Sequence, residues 1–208
     1  MVNIKTYTLA ILVTVLLLMS AFSLNWYTGN LREAELKETY SSLSRSLSSS
    51  QLEFEYITNY GENNCELFDE SIKLTRTNLI SINNKLEKYK DYMISDQQFN
   101  NLKAEQTLLY IKMWMMSKQM KETCDMDLNT ILYFWDLSTT SKQQGYILDS
   151  IGKNNQNTLI IPLDYNFDLG IIKLLKTDYE INSVPTILIN ENIKLEGLNN
   201  REGIEKYL

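Results

Sequence analysis

Three regimes of hydrophobic patterning succeed one another along the chain. The first is a continuous apolar run, Tyr7–Leu24 (YTLAILVTVLLLMSAFSL), with no formal charge between Lys5 and Arg32. A helix of about 20 apolar residues spans a hydrocarbon core about 30 Å thick. Tyr7 on one side and Trp26–Tyr27 on the other have the character of interfacial aromatics. The run predicts a retained transmembrane signal anchor over residues 1–27. A cleaved signal with Ala21-Phe22-Ser23 before the cut competes with it, and a buried soluble helix is a third reading. Beyond the run, Arg32 and Lys37 are mixed with Glu33, Glu35 and Glu38, so positive charge is nearly balanced across the two flanks. The very short N-terminal tail favours an N-terminus inside and residues 28–208 outside the cytoplasm.

The second regime, Leu31–Met126, contains no proline and one glycine, Gly61. One apolar stripe runs Leu36, Tyr40, Leu43, Leu47, Phe54 and Ile57, with Ser50 in the intervening slot. A second runs Phe68, Ile72, Thr75, Leu79, Ile82, Leu86, Tyr89 and Met93, and a third Phe99, Leu102, Gln106, Leu109, Met113, Met116 and Met120. Steps of three and four put an apolar face of coiled-coil type on each of three helices. Gly61-Glu62-Asn63-Asn64 separates the first helix from the second, and Ser95-Asp96 supplies a turn and N-cap before the third. Residues 28–126 are thus expected to form a helical stalk and an antiparallel hairpin. Met113, Met115, Met116 and Met120 are read as packing, because thioethers fill irregular gaps. The serine-rich Ser41–Ser50 stretch is either the outer face of a membrane-proximal helix or a tether, since serine lowers helix propensity.

Past Asp127 the texture becomes β-branched and aromatic. Asn129–Asp136 reads as a strand, Ser141–Gly152 as a helix, Thr158–Leu163 as a strand with Pro162 near its end, and Asp168–Tyr179 as a helix capped by Asp168. Val184–Ile189 and Ile193–Glu196 form a hairpin around Asn190-Glu191-Asn192. Asn199–Leu208 closes as a helix capped by Asn199 or Asn200. The order β-α-β-α-β-β-α gives a central sheet covered by helices.

Composition narrows the chemistry. A net charge of −6 argues against nucleic acid, whose phosphates require clustered Lys and Arg. With no histidine, His-based triads, His acid–base catalysis and His-ligated metals are excluded. Two cysteines cannot build a Cys₄ or Cys₂His₂ zinc site. No metal and no cofactor are expected.

The cysteines suggest a staple. In an antiparallel hairpin of equal rise, residues at one level have numbers with a constant sum. The midpoint of Cys65 and Cys124 lies between Ile94 and Ser95, where the turn is placed on independent grounds. The pair therefore sits level at the open end of the hairpin. A disulfide there closes a loop of about 60 residues, worth about 4 kcal/mol in the chain-entropy model, and suits an extracytoplasmic location. Two buried free thiols are the alternative.

The third regime, with Leu132-Tyr133-Phe134-Trp135 before a short loop and Ser183-Val184-Pro185-Thr186 before a late strand, resembles the thioredoxin superfamily. The resemblance covers Asn129–Leu208. With the preceding anchor and helical hairpin, the chain is also similar to archaeal-type membrane-anchored thioredoxin-like proteins. It implies an α/β thioredoxin-like domain over residues 127–208 and a cis proline at Pro185. It also implies a Cys-x-x-Cys dithiol where the first helix after the opening strand begins, its first thiol acidified by that helix N-terminus for disulfide exchange. This chain departs from the pattern, because Ser138-Thr139-Thr140-Ser141 stands at the motif and hydroxyls replace both sulfurs. No catalytic residue is expected there. A naturally degenerate site and an engineered replacement of two cysteines fit the sequence equally.

The resemblance further implies a groove for a partner's extended segment, made by Trp135, Ser138, Thr139, Thr140, Ser141, Val184, Pro185 and Thr186, where backbone groups pair with a strand. Ordinary helix capping is the simpler reading of Ser138–Ser141. Three functions follow. One is a membrane-anchored, redox-inactive module that binds an unidentified protein or peptide. A second is a thiol–disulfide oxidoreductase, either with Ser138 and Ser141 in place of its cysteines or with Cys65 and Cys124 as its dithiol close to Pro185. The third is a structural stalk whose helices assemble into a homo-oligomer.

Overall fold

The computed structural model describes residues 4–60, 65–89, 96–124 and 126–208; the side chains of 4–10, 32–36, 96–98 and scattered positions between 39 and 89 lie outside that description. The chain divides into two compact units, Met1–Arg45 and Ser46–Leu208. Helix α1 runs Ile4–Tyr60. Within it, Ile11–Leu31 is long and apolar enough to cross a membrane, with a mean hydropathy of 1.6 and no buried side chain. Trp26 and Tyr27 are exposed near its end, and the Tyr7 side chain is among those outside the description.

In the second unit, α2 (Cys65–Tyr89) and α3 (Asp96–Cys124) pack against each other. Phe68, Ile72, Thr75, Leu79, Ile82 and Leu86 are buried on α2, and Leu102, Leu109, Met113, Met116 and Met120 on α3. The periodic stripes are thus the hairpin seam. From the end of α1, Phe54 and Ile57 join Phe68, Ile72, Met116 and Met120 in one cluster. Leu36, Tyr40, Leu43, Leu47 and Ser50, the break Gly61–Asn64, and Tyr89, Met93 and the Ser95-Asp96 turn have side chains or placement outside the described residues. A disulfide joins Cys65 to Cys124, with Cα atoms 5.7 Å apart. Midway along the hairpin, Gln106 Nε2 donates to Asn83 Oδ1. The numbers of that pair add to the same total as those of the cysteines, so the two helices keep one level throughout.

The α/β elements are β1 (Asn129–Trp135), α4 (Thr139–Asn154), β2 (Thr158–Asp164), α5 (Gly170–Asp178), β3 (Thr186–Ile189), β4 (Ile193–Glu196) and α6 (Arg201–Glu205). The sheet order is β2-β1-β3-β4. Strand β1 is parallel to β2 and antiparallel to β3, and β4 is antiparallel to β3. A central strand with both neighbours must bury both faces, and Asn129–Phe134 do so without a break. Ile131, Tyr133, Ile187 and Ile189 pack on Leu148 and Ile151 of α4 and Ile204 of α6. The alternate residues Leu132, Phe134, Ile161 and Leu163 point to the opposite face and are equally buried. Helix α3 lies against β2 and β1. It carries a further buried row at Thr107, Ile111 and Trp114, beside the row that meets α2.

Several boundaries differ from the pattern-based expectation for identifiable reasons. Helix α4 starts at Thr139 because Ser138 caps it. Helix α5 starts at Gly170 after Leu169, which offers no side-chain cap, while Asp168 pairs instead with Lys173 at 2.5 Å. Asn200 caps α6 through Gly203 N–H at 2.9 Å, whereas Asn199 gives its N–H to Gln144 Oε1 at 2.7 Å. Strand β3 starts only after Pro185, which has no N–H to pair. The three-residue β3–β4 connection, Asn190–Asn192, holds Asn190 at φ 48° and Glu191 at φ 58°, both in the left-handed region.

Candidate functional site

Strand β1 ends at Trp135, and the next six residues fold around one carboxylate. Asp136 Oδ1 accepts from Ser138 Oγ at 2.5 Å, Ser141 Oγ at 2.7 Å and Ser138 N–H at 3.1 Å. In return Ser138 Oγ accepts from Ser141 N–H at 3.2 Å, which is the helix cap, and Ser141 Oγ accepts from Asp136 N–H at 3.2 Å. Tyr133 closes the arrangement from below by donating its hydroxyl to the Ser141 carbonyl. Every group answers another because an Asp two residues before a Ser forms an Asx-type turn, and a Ser before a helix satisfies its first free N–H groups.

The electrostatics follow from these bonds. The Ser138 hydroxyl, then the Ser141 hydroxyl, hold the Asp136 carboxyl below the usual carboxylate range. Burial pushes the Tyr133 phenol up to about 12, so it remains a neutral donor. Asp136 is therefore a weak base. The serine protons are directed at it, and their lone pairs are occupied by backbone N–H groups. Two hydroxyls cannot cycle between dithiol and disulfide, so the arrangement offers capping and a surface rather than electron transfer.

Register places the second segment. Phe134 pairs with Thr186, so the start of β3 lies at the same end of the sheet as Asp136–Ser141. The Val184–Pro185 bond is cis. Pro185 and Thr186 are buried, Thr186 Oγ1 donates to the Ser183 carbonyl at 2.7 Å, and the Pro185 carbonyl accepts from Gly197 N–H at 2.8 Å. The residues expected to line a groove thus converge on one end of the sheet, but they differ in accessibility. Thr139 and Thr140 are exposed, Trp135, Ser138 and Val184 are half-buried, and Ser141 is 2% exposed. Pattern reading passed over Leu137, which is 79% exposed between Asp136 and Ser138, and Leu198, exposed beside Gly197.

The helical hairpin reaches this end too. Lys103 of α3 pairs with Asp164 at the end of β2, and its ammonium lies 5.8 Å from the Trp135 ring centre and 4.9 Å from that of Phe167. Further along α3, Trp114 Nε1 donates to Glu191 Oε1 at 2.6 Å, and the same oxygen accepts from Thr130 Oγ1 at 3.0 Å. Since Thr130 opens β1 and Trp135 ends it, α3 runs antiparallel to β1. At 1.5 Å per residue, Cys124 lies about 30 Å further along α3 than Lys103. The disulfide is therefore at the opposite end from Pro185, and Cys65 and Cys124 do not form a dithiol at this site. Among the described residues, no group of three or more Cys, Asp or Glu side chains converges on a common point.

No family model and no curated protein matches the chain. Among solved structures, it is similar to a malarial protein at 18% identity and a TM-score of 0.33, over 39% of this chain and 98% of that one. It is also similar to a chloroplastic thioredoxin z at 14% identity and a TM-score of 0.34, over 43% of this chain and 83% of that one.

Proposed function

We propose that residues 129–208 are a thioredoxin-type module without redox chemistry, held at a membrane by the N-terminal apolar helix. In this reading the module engages an extended segment of a partner protein at the Ser138–Pro185 end of its sheet. The observation that carries it is the Asp136–Ser138–Ser141 network. Where the resemblance puts a dithiol, two hydroxyls are fully committed to a carboxylate and a helix cap. Around that closed network, Leu137, Val184 and Leu198 leave apolar surface for a partner's side chains. The disulfide between α2 and α3 supports an extracytoplasmic location for residues 28–208.

The test uses reduced, alkylated insulin B chain as an extended polypeptide probe. The full chain in lipid nanodiscs should bind it, and Leu137→Asp should weaken that binding without altering the circular dichroism spectrum. The same preparation should leave intact insulin unreduced. Turnover of insulin disulfides by the parent chain would overturn the reading.

A further inference from the structure

A cleft of about 390 Å³ opens at the disulfide end of the Ser46–Leu208 unit, the opposite end of the sheet from Ser138. Its floor is apolar, made by Ile72 of α2 and Met120 of α3, both buried. Met126 and Leu128, from the segment that joins α3 to β1, form one wall. Arg76 of α2 and Asn157, from the loop before β2, stand at the rim.

Arg76 decides what the cleft is suited to. Its side chain is half-buried, yet among the described residues it makes no hydrogen bond and no ion pair. Asp69, Lys73 and Asp127 also line the cleft, and neither carboxylate serves Arg76. Asp69 is taken by Lys73 at 2.5 Å, and Asp127 is exposed and forms no ion pair with Arg76. Two other half-buried cations of the unit have acceptors, Lys103 in Asp164 and Lys176 in the Tyr165 carbonyl. A guanidinium carries five N–H donors in a planar fork and no acceptor of its own, and partial withdrawal from water leaves those donors underused. The complementary group is a planar anion with two oxygens side by side. The floor adds a second requirement, an apolar body attached to that head. The volume lies at the small end of the range for enclosed ligands, about 300–1,000 Å³.

We propose that this cleft binds a small aliphatic carboxylate, with its two oxygens on Arg76 and its chain over Ile72 and Met120. The site is independent of the partner groove and stands or falls separately from it.

Hexanoate is the probe, added to the full chain in lipid nanodiscs with ¹³C-methyl methionine. The methyl signals of Met120 and Met126, assigned with Met120→Leu and Met126→Leu, should shift saturably. Met19, inside the apolar run, reports simple partition into lipid. Arg76→Gln should weaken the saturable binding about tenfold or more, as expected for loss of a charge-assisted pair, and Arg76→Lys should recover part of it. Hexan-1-ol, with the same chain and no charge, should give no saturable shift. The proposal is overturned by the absence of saturation at Met120 and Met126, by equal affinity in Arg76→Gln, by equal binding of the alcohol, or by equally tight binding of inorganic phosphate. Because Arg76 bonds to no described residue, Arg76→Gln without ligand should melt with the parent. A clear loss of thermal stability would reveal an internal partner and remove the premise.

Discussion

Replacing both bridge residues, Cys65→Ser with Cys124→Ser, should destabilise the unit Ser46–Leu208 by an amount set by the length of the loop released. The cysteines are 59 residues apart in sequence. For a closed loop of that size, the chain-entropy relation gives about 4 kcal/mol at 25 °C. Unfolding entropies of about 2.1 cal/mol/K per residue give a unit of this length about 0.34 kcal/mol/K, so a loss of 4 kcal/mol lowers the melting temperature by about 12 °C. The packing around the bond makes this an upper figure. Phe68, Ile72, Met116 and Met120 cluster beside it, and any part of that cluster that survives in the unfolded chain already restricts the ends of the loop. The assay is thermal unfolding of the full chain in nanodiscs, followed by circular dichroism, for the variant and for the parent with and without a thiol reductant. The reduced parent and the variant should coincide, well below the oxidised parent. A loss of less than about 1 kcal/mol would refute the view that the bond closes an otherwise open loop.

Other changes probe the site and its supports. Ser138→Cys with Ser141→Cys should create insulin reductase activity, because the N-terminus of α4 favours a thiolate at its cap. Adding Asp136→Asn should raise that rate further by removing a negative charge beside the new thiolate; no gain in the double variant would break the alignment of Ser138 and Ser141 with a dithiol. The depressed Asp136 pKa contributes stability that is complete above the ordinary value of 3.8 and is lost as pH falls through the lower folded value. Asp136→Asn should therefore flatten the acid limb of a melting-temperature profile, and an unchanged limb would disprove the linkage. Glu191→Ala strands the Trp114 N–H and the Thr130 hydroxyl, at a cost of about 1–3 kcal/mol in urea unfolding, and Glu191→Gln should restore most of it.

The hairpin was legible because its signals were redundant: three-and-four spacing, a turn at Ser95-Asp96, and cysteines placed symmetrically about it. The order of strands and helices was legible for a similar reason, since the buried strands are short β-branched runs bounded by breakers. Periodicity alone missed the second buried face of α3. Thr107, Ile111 and Trp114 interleave with Leu109, Met113 and Met116, and a search for one stripe assigns the helix to one neighbour. Two apolar rows on one helix were the available sign that it is covered on both sides. Asp136 was read only as the end of a strand. Its place two residues before Ser138 was the local clue to the turn, but that Ser141 would also turn its hydroxyl toward the same oxygen depends on the helix start, a tertiary outcome. The Arg76 cleft had no sequence signal, because its walls come from α2, α3 and two loops that only the sheet brings together.

Pro162 has a consequence for how copies of the chain behave when crowded. Strand β2 is one edge of the sheet, and the Tyr165 N–H pairs with the Trp135 carbonyl. Alternation along the strand then turns the N–H groups of Leu159, Ile161 and Leu163 toward β1, and positions 160, 162 and 164 outward. The Thr158 N–H is already spent on the Asn155 carbonyl. Proline therefore removes the central donor of the open row and costs the native ladder nothing, because its missing N–H faces away from β1. A strand from another molecule would find a gap where its middle hydrogen bond should form. The other edge, β4, is four residues long and carries Lys194 and Glu196. Anchoring in a bilayer concentrates protein in a plane, where an unprotected edge invites sheet-to-sheet polymerisation. Both edges of this sheet are blunted against that pairing.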